Sequence, residues 1–471
     1  MPSHRILLVR LSSHERQRPR HPQGVHLPFT LKYLQAILLK ADYSVQWVDC
    51  QAAPCSLEDL ICLTQEWRPH VIVISSTPRE RYHLKALACS VRKHGDAITI
   101  AIGQDVSLDP SSYLNGSSGV DLAIPGEVEQ VCAEAIDALR DRKGLKDLQI
   151  RFQGNLQRGE PILVNRLDDL PFPVYAQGEL TRYPHVYPMP IRRRAVWGHL
   201  LATRGCPYPC MFCTQITRES YGARPRKRDP ARVVDEMEYL NRQGATVLAF
   251  DDDNLTTDPQ FVKTLCREMI HRRFTLPWIA HSRVDNLTPE LAHWMRQAGC
   301  ALLRFGIESA VARIVQLLKK GGDASSWPAT TQRAIQVARA NGIPTLGLFI
   351  IGNPTETESE VLETIRFALE LPLDFAQVHF FTPYVGSGAY ERFQEEVNPA
   401  VIPEQHHYQP PQVNLSAVET RRLVELRAAF YRRFYGRPGW VIRHTKRYAG
   451  FYMRNRQALQ TLFAGRGVFM G

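Results

Sequence analysis

Between residues 199 and 382 one pattern recurs six times: a short apolar run followed by a longer amphipathic one. The short runs are "HLLAT" (199–203), "TVLAFD" (246–251), "WIAHS" (278–282), "ALLRFG" (301–306), "TLGLFII" (345–351) and "FAQVHFF" (375–381). Each has the length of a buried strand, and the runs between them have the length of helices. Asp229-Pro230, Asp258-Pro259 and Thr288-Pro289 each set a capping side chain before a proline at the first helical position. Strands that alternate with helices pair in parallel, because each helix carries the chain back to the starting end. Six such steps are two short of a closed eight-fold barrel. The expected fold is a partial (βα)6 barrel, with its site at the carboxyl ends of the strands.

Residues 1–141 predict a second α/β domain. "RILLVRL" (5–11), "SVQWVDC" (44–50), "HVIVISS" (70–76), "AITIAIG" (97–103) and "VDLAIPGE" (120–127) are strand-like, while "LKYLQAILLKA" (31–41) and "VEQVCAEAIDALRD" (128–141) have helical spacing. This is a Rossmann-like parallel sheet. Ligands of such sheets bind beyond the carboxyl ends of the strands. The loops there carry Ser75, Gly103, Gly126 and Glu127, and the first of them, Leu11–His26, adds His14, His21 and His26. Residues 142–198 lack periodicity and predict a linker, 199–390 the barrel, and 391–471 a basic, aromatic-rich helical region.

The stretch "TRGCPYPCMFCTQ" (203–215) directly follows the first barrel strand and holds Cys206, Cys210 and Cys213. The other seven cysteines sit mostly in apolar patterns, as small core residues do. A closed zinc site wants four protein ligands, and no His/Cys pair follows at the usual spacing. Cys210 and Cys213 also form a redox-type CxxC, which leaves Cys206 unexplained. Three thiolates on one loop suit three irons of a 4Fe–4S cluster, with the fourth iron open to a chelating ligand. Spacing favours the iron–sulfur cluster over zinc or a redox pair. Asp251, Asp252 and Asp253 end the second barrel strand, where carboxylates suit an ammonium-like group; the alternative is a solvated turn. Arg283 suits a carboxylate of substrate or cofactor, or an ion pair with Asp285. Tyr384 and Tyr390 follow the last strand, where they either face a substrate or pack.

Charge is uneven. The formal net charge of +11 equals that of residues 421–471 alone, where 12 Lys/Arg face the single acid Glu425. Ten aromatics share that stretch. Three expectations stand for it: helices packed on the barrel, an anionic membrane surface, or, as the weakest, stacked nucleic-acid bases. No apolar run is long enough for a membrane-spanning helix. With no signal-peptide pattern, the expected location is the cytoplasm, with the inner membrane face as an alternative through the tail.

These motifs together resemble the radical S-adenosylmethionine superfamily. Cys206, Cys210 and Cys213 match its CxxxCxΦC loop, with Phe212 as the aromatic position. "FDDDN" (250–254) stands where the family receives the methionine amino group. "RFGIES" (304–309), with Glu308 and Ser309, resembles its ribose-contacting segment. "GLFIIGNPTE" (347–356) resembles the GxIxGxxE segment beside adenine through Gly347, Gly352 and Glu356, with Phe349 in place of the aliphatic residue. The front domain, with "VDLAIPGE" and "LDDLPFPVY" (167–175), is similar to the subgroup that binds cobalamin, although the DxHxxG motif that supplies a histidine to cobalt is missing.

The resemblance implies three cofactors: a 4Fe–4S cluster, S-adenosylmethionine and cobalamin. It implies reductive cleavage of S-adenosylmethionine, hydrogen abstraction from an unactivated carbon, and C-methylation of a small molecule, lipid or tetrapyrrole-type metabolite. Radical cyclisation or oxidative rearrangement is the alternative within the same subgroup. A zinc or nucleic-acid-binding protein without catalysis is the alternative outside it. An external one-electron donor of the flavodoxin or ferredoxin type is the implied partner.

Overall fold

The computed structural model describes residues 4–12, 27–53, 55–109, 111–114, 117–139, 144, 148, 162–184, 195–213, 223–397 and 407–454. Two compact units emerge, one from residues 1–183 with 215–226 and one from 184–214 with 227–471.

In the first unit five strands form one parallel sheet: β1 (Arg5–Arg10), β2 (Ser44–Asp49), β3 (Val71–Ser75), β4 (Ile98–Ile102) and β5 (Leu122–Ala123), in the order β2-β1-β3-β4-β5. Helices α1 (Phe29–Lys40) and α5 (Glu129–Leu139) cover one face; α2 (Leu57–Trp67) and α3 (Arg81–His94) cover the other. A short α4 (Gln104–Leu108) follows β4. Alternate residues explain the two layers. Ile6 and Leu8 of β1 pack with Leu34 and Leu38 of α1, while Leu7 and Val9 pack with Leu60 and Leu87 on the other side. Helices α2 and α3 had no place among the sequence expectations. The signal for α2 was available: Ser56 and Asp59 form a reciprocal capping box.

The segment 162–183, within the stretch expected to be a linker, belongs to this unit. Leu167 and Leu170 pack on Tyr33 of α1. Lys32, fully buried, pairs with Glu179 at 2.9 Å, and the Tyr183 hydroxyl donates to Asp49 at 3.1 Å.

The second unit holds six parallel strands in sequential order: β6 (Trp197–Leu200), β7 (Val247–Phe250), β8 (Trp278–Ser282), β9 (Cys300–Glu308), β10 (Thr345–Ile351) and β11 (Phe375–Phe380). The helices α6 (Pro230–Arg242), α7 (Pro259–His271) and α8 (Pro289–Gln297) start as read. Asp229 accepts from the Ala231 N–H, Asp258 from Gln260 and Phe261, and Thr288 from Leu291. Then come α9 (Ala312–Leu317), α10 (Trp327–Ala340) and α11 (Glu358–Glu370). One strand face stacks Trp197, Val247, Ala249, Ile279, Leu302, Leu346 and Phe375 into an apolar cluster, which Tyr448 joins from the C-terminal helix.

An open barrel has two edge strands, here β6 and β11. Helix α12 (Thr420–Tyr435) covers β11. The Tyr435 hydroxyl donates to the Ala376 carbonyl at 2.9 Å and accepts its N–H at 3.2 Å; the Tyr431 hydroxyl accepts the Val378 N–H at 3.0 Å. Two tyrosines thus satisfy backbone groups that an edge strand would expose. Phe430 and Phe434 are fully buried, and Trp440 and His444 of α13 (Pro438–Arg454) are buried and stacked. Phe430, Tyr431, Phe434, Tyr435 and Trp440 are therefore barrel packing.

Candidate active site

The carboxyl ends of β6 to β10 bring most of the expected barrel residues to one end of the unit. The cysteine loop leaves β6, and three sets of contacts hold it. First, Asp252, at the end of β7, is fully buried. Its carboxylate accepts the N–H groups of Ala202 and Thr203 at 3.2 and 2.5 Å and the Thr203 hydroxyl at 2.6 Å. Burial raises this carboxyl to about 7, although the three hydrogen bonds pull the other way. Second, the Tyr208 hydroxyl and Asn286 bond at 3.0 Å, Asn254 donates to Asn286 at 2.9 Å, and Thr256 bonds Ser282 at 2.8 Å. Third, the Met211 N–H donates to the Leu318 carbonyl at 2.9 Å, and the Met211 carbonyl accepts from Ala389 at 2.9 Å.

The three aspartates divide their tasks. Asp252 is committed to the Ala202–Thr203 backbone, so it is not open to an ammonium group as expected; burial with three donors leaves it a structural role. Asp251 lies 2.6 Å from Nδ1 of the buried His199. Asp253 is open to solvent, yet the protein atoms crowded around it displace bulk water and raise its carboxyl to about 6.

Arg283, which follows β8, is buried. It makes a two-point pair with Asp285 at 3.0 and 2.7 Å, stacks on the Tyr208 ring at 3.7 Å, donates to the Lys320 carbonyl, and reaches Cys210 Sγ at 3.9 Å. Of the two sequence alternatives for Arg283, the ion pair with Asp285 is formed, and the guanidinium also faces the cysteine loop. Glu308, at the end of β9, is buried and bonds Lys320 Nζ at 2.9 Å. Its φ is +67°, a left-handed backbone unusual for a side chain this large. Ser309 bonds Thr364 at 3.0 Å. Lys320 had no place among the sequence expectations. Burial disfavours its charge, but Glu308 and the Cys210 sulfur more than offset this, so its pKa is raised.

After β10 the chain turns at Gly352, with φ +75°. A Cβ there would stand 2.9 Å from Leu423 of α12, so the close approach at this glycine is to a helix. A Cβ on Gly347 would meet Leu373, Phe349 and Ile307, which makes that glycine a packing position and not the ligand contact expected. Buried Glu356 accepts the N–H and the Nδ2 of Asn353 at 2.9 and 3.0 Å, and burial raises it to about 7. Tyr384 bonds His407 at 2.8 Å, and Tyr390 is half-buried near Ser387.

In the first unit, Ser75, Gly103 and Gly126 come together at the carboxyl ends of β3, β4 and β5. Ser107 links two of them, accepting the Gly126 N–H and donating to the Gly103 carbonyl, each at 3.0 Å. Gly103 has φ +105°, and a Cβ there would stand 2.6 Å from the Ser76 carbonyl oxygen. Glu127 differs from expectation. Its carboxylate takes a two-point contact from Arg226 and the Val164 N–H at 2.6 Å, so it fastens the 162–164 segment and does not face a ligand. His14, His21 and His26 lie outside the described residues.

Residues 200–368 match the model of the radical SAM superfamily. The matched segment runs from the end of β6 into α11. A radical SAM protein needs a three-thiol holder for a 4Fe–4S cluster that leaves one iron to S-adenosylmethionine. Here the cysteine loop fits. None of its cysteines is in a disulfide, Cys206 and Cys210 are half-buried and Cys213 is exposed, and Arg283 supplies positive charge beside Cys210. Among the described residues no three His, Cys, Asp or Glu side chains converge as a single-ion site, so no closed zinc tetrahedron is built there.

An uncharacterized methyltransferase of Pyrococcus horikoshii is 27% identical over 91% of this chain and 92% of its own length. The cytidylyl-2-hydroxyethylphosphonate methyltransferase of Streptomyces wedmorensis is 27% identical over 76% of each chain. The anaerobic magnesium-protoporphyrin IX monomethyl ester cyclase of Rubrivivax gelatinosus is 24% identical over 87% of this chain and 73% of its own. Among solved structures, the radical S-adenosylmethionine methyltransferase TsrM of Kitasatospora setae, with cobalamin and a 4Fe–4S cluster bound, superposes with a TM-score of 0.65 over 84% of this chain and 80% of its own, at 20% identity. The chain shares that fold: a five-stranded parallel sheet, then the six-stranded partial barrel, then C-terminal helices.

Proposed function

We propose that the protein is a cobalamin-dependent radical SAM methyltransferase that methylates an unactivated carbon of a small molecule. The observation that carries this is the pairing, in one chain, of a three-thiol loop after the first barrel strand with a separate parallel sheet of order β2-β1-β3-β4-β5. That order reverses between β1 and β3, and such a switch point is where doubly wound sheets open a crevice for a cofactor. The small residues Ser75 and Gly103 stand at its rim, and no side chain at Gly103 intrudes on it. Relatives named as methyltransferases support methyl transfer over cyclisation.

Cys206, Cys210 and Cys213 would hold the cluster. When bound, the cluster and S-adenosylmethionine supply one-electron cleavage of a carbon–sulfur bond, and cobalamin supplies a methyl carrier. The chain's own groups do the rest. Asp252 fixes the start of the cysteine loop, and Arg283 and Lys320 bring positive charge to it. Asp253 is the aspartate open to an ammonium group. Glu308 and Ser309 line the end of β9. Phe212 joins the apolar cluster of Met211, Ile314 and Ile350, which excludes water from the loop's inner side.

Domain limits follow the same proposal, with 162–183 moved from the linker to the front domain of 1–141, a barrel over 199–390 and a helical region beyond. The electron comes from an external donor of the flavodoxin or ferredoxin type. Among the described residues no helix is long and apolar enough to cross a membrane.

The test is anaerobic reconstitution with iron, sulfide and hydroxocobalamin, followed by reaction with S-adenosylmethionine labelled at the methyl group. The expected result is cluster and corrin absorbance together, with label moving to a carbon of the product. Product that loses hydrogens and gains no label would favour the cyclase reading. Protein that takes up zinc and no iron would overturn the proposal.

A further inference from the structure

We propose that Lys320 is a positioning residue that raises the reduction potential of the cluster held by the cysteine loop. The inference rests on the cluster assignment above. Lys320 follows α9, in a turn that touches the loop three ways. Its neighbour Leu318 receives the Met211 N–H at 2.9 Å, its own carbonyl receives Arg283, and its ammonium lies 5.5 Å from the centre of the Phe212 ring. Met211 and Phe212 are the two residues between Cys210 and Cys213. The turn therefore sets both the backbone and the electrostatics of that stretch.

The ion pair with Glu308 is built at a cost. Both side chains are buried, with 8% and 6% of each exposed. A buried pair is weak evidence of a stabilising role, since desolvation offsets much of the attraction. Glu308 also carries its left-handed φ, and such strain persists only where the surroundings enforce it. Position 306 is glycine for the same reason: a Cβ would stand 2.5 Å from Glu308 Oε1 and 2.7 Å from Lys320 Nζ. Three adjacent positions thus accommodate one ion pair. Its carboxylate is rooted on β9 and its ammonium lies by Phe212, so the positive end of the dipole faces the cysteine loop.

A cluster on three thiolates is negatively charged and gains a further negative charge on reduction. A fixed cation in a water-poor site favours that reduced form. Arg283 adds a second cation at Cys210, held by a two-point pair with Asp285.

The test is a mediated redox titration of reconstituted K320Q, K320R and E308Q, followed by electron paramagnetic resonance of the reduced cluster, with iron content measured in parallel. K320Q should lower the midpoint potential, K320R should hold it near the parent's, and E308Q, which unmasks the cation, should raise it. An unchanged potential in K320Q with iron retained would overturn the proposal, as would shifts of the same sign in K320Q and E308Q. If K320Q holds no iron, an unmoved E308Q overturns it alone. A parent protein without a 4Fe–4S cluster would sink the cluster assignment; a cluster indifferent to Lys320 would sink this inference only.

Discussion

The buried carboxylate of Asp252 holds Thr203 by its backbone N–H at 2.5 Å and its hydroxyl at 2.6 Å, tying the end of β7 to the approach of the cysteine loop. Removing it strands three donors in the interior. D252A should destabilise the protein by about 3 kcal/mol and lower iron uptake on reconstitution. Urea unfolding of the iron-free protein and iron assay check the two effects. Unchanged stability would mean that the loop is anchored elsewhere.

Glu356 gives a pH prediction. Burial raises its carboxyl from the ordinary 4.5 to about 7. A carboxyl whose folded pKa lies above its unfolded value binds more protons when folded, so it favours the fold at low pH. That benefit is lost as pH rises through this window. E356Q should therefore gain stability relative to the parent between about pH 4.5 and 7, by about 1–3 kcal/mol. Thermal melts of both proteins across this range should diverge; parallel curves would contradict the assignment.

The tyrosine hydroxyls on β11 predict an aggregation phenotype. Y431F and Y435F each remove a hydroxyl partner of the edge strand, at about 1 kcal/mol per hydrogen bond. The double variant should melt lower and scatter light on mild heating, because freed edge groups pair with other chains. Single-cysteine changes should leave the same melts untouched.

C206A, C210A and C213A should each lose the 4Fe–4S spectrum and the formation of 5′-deoxyadenosine. C266A, which alters a buried core cysteine on α7, should retain both. Retained cleavage in any of the first three would reject the ligand set.

The outer face of α13 offers a separate test. Arg443 and Lys446 are exposed beside Ile442, itself 56% exposed, while the aromatics Trp440 and Tyr448 turn inward. Binding to anionic vesicles should fall with salt and be lost in R443E/K446E. No sedimentation of the parent with such vesicles would leave this face as plain solvated surface.

Periodicity and spacing carried far in this chain. Six strand–helix steps with proline-led caps prescribe a parallel, open barrel whatever the side-chain detail, because caps and alternation act within a few residues. Three cysteines in eight positions likewise announce a ligand loop. Local pattern could not separate the three adjacent aspartates. Asp252 goes inward to bind backbone, Asp251 meets His199 and Asp253 stays open, and burial and partner geometry decide which. The tail shows the same limit: composition counts basic and aromatic residues, but only packing shows Phe430, Phe434 and Trp440 buried against the barrel.

What the sequence alone determined is the chemistry on offer: a parallel α/β frame, thiolates at a strand end, and carboxylates on the next strand. Only the tertiary structure decided which charges meet. Lys320 lies 12 residues beyond Glu308, in an ordinary-looking "LKKGG", yet its ammonium sits 2.9 Å from that carboxylate and beside the cysteine loop. The physical reason is that backbone periodicity is set by near neighbours, whereas the fate of a buried charge depends on groups that only folding brings together.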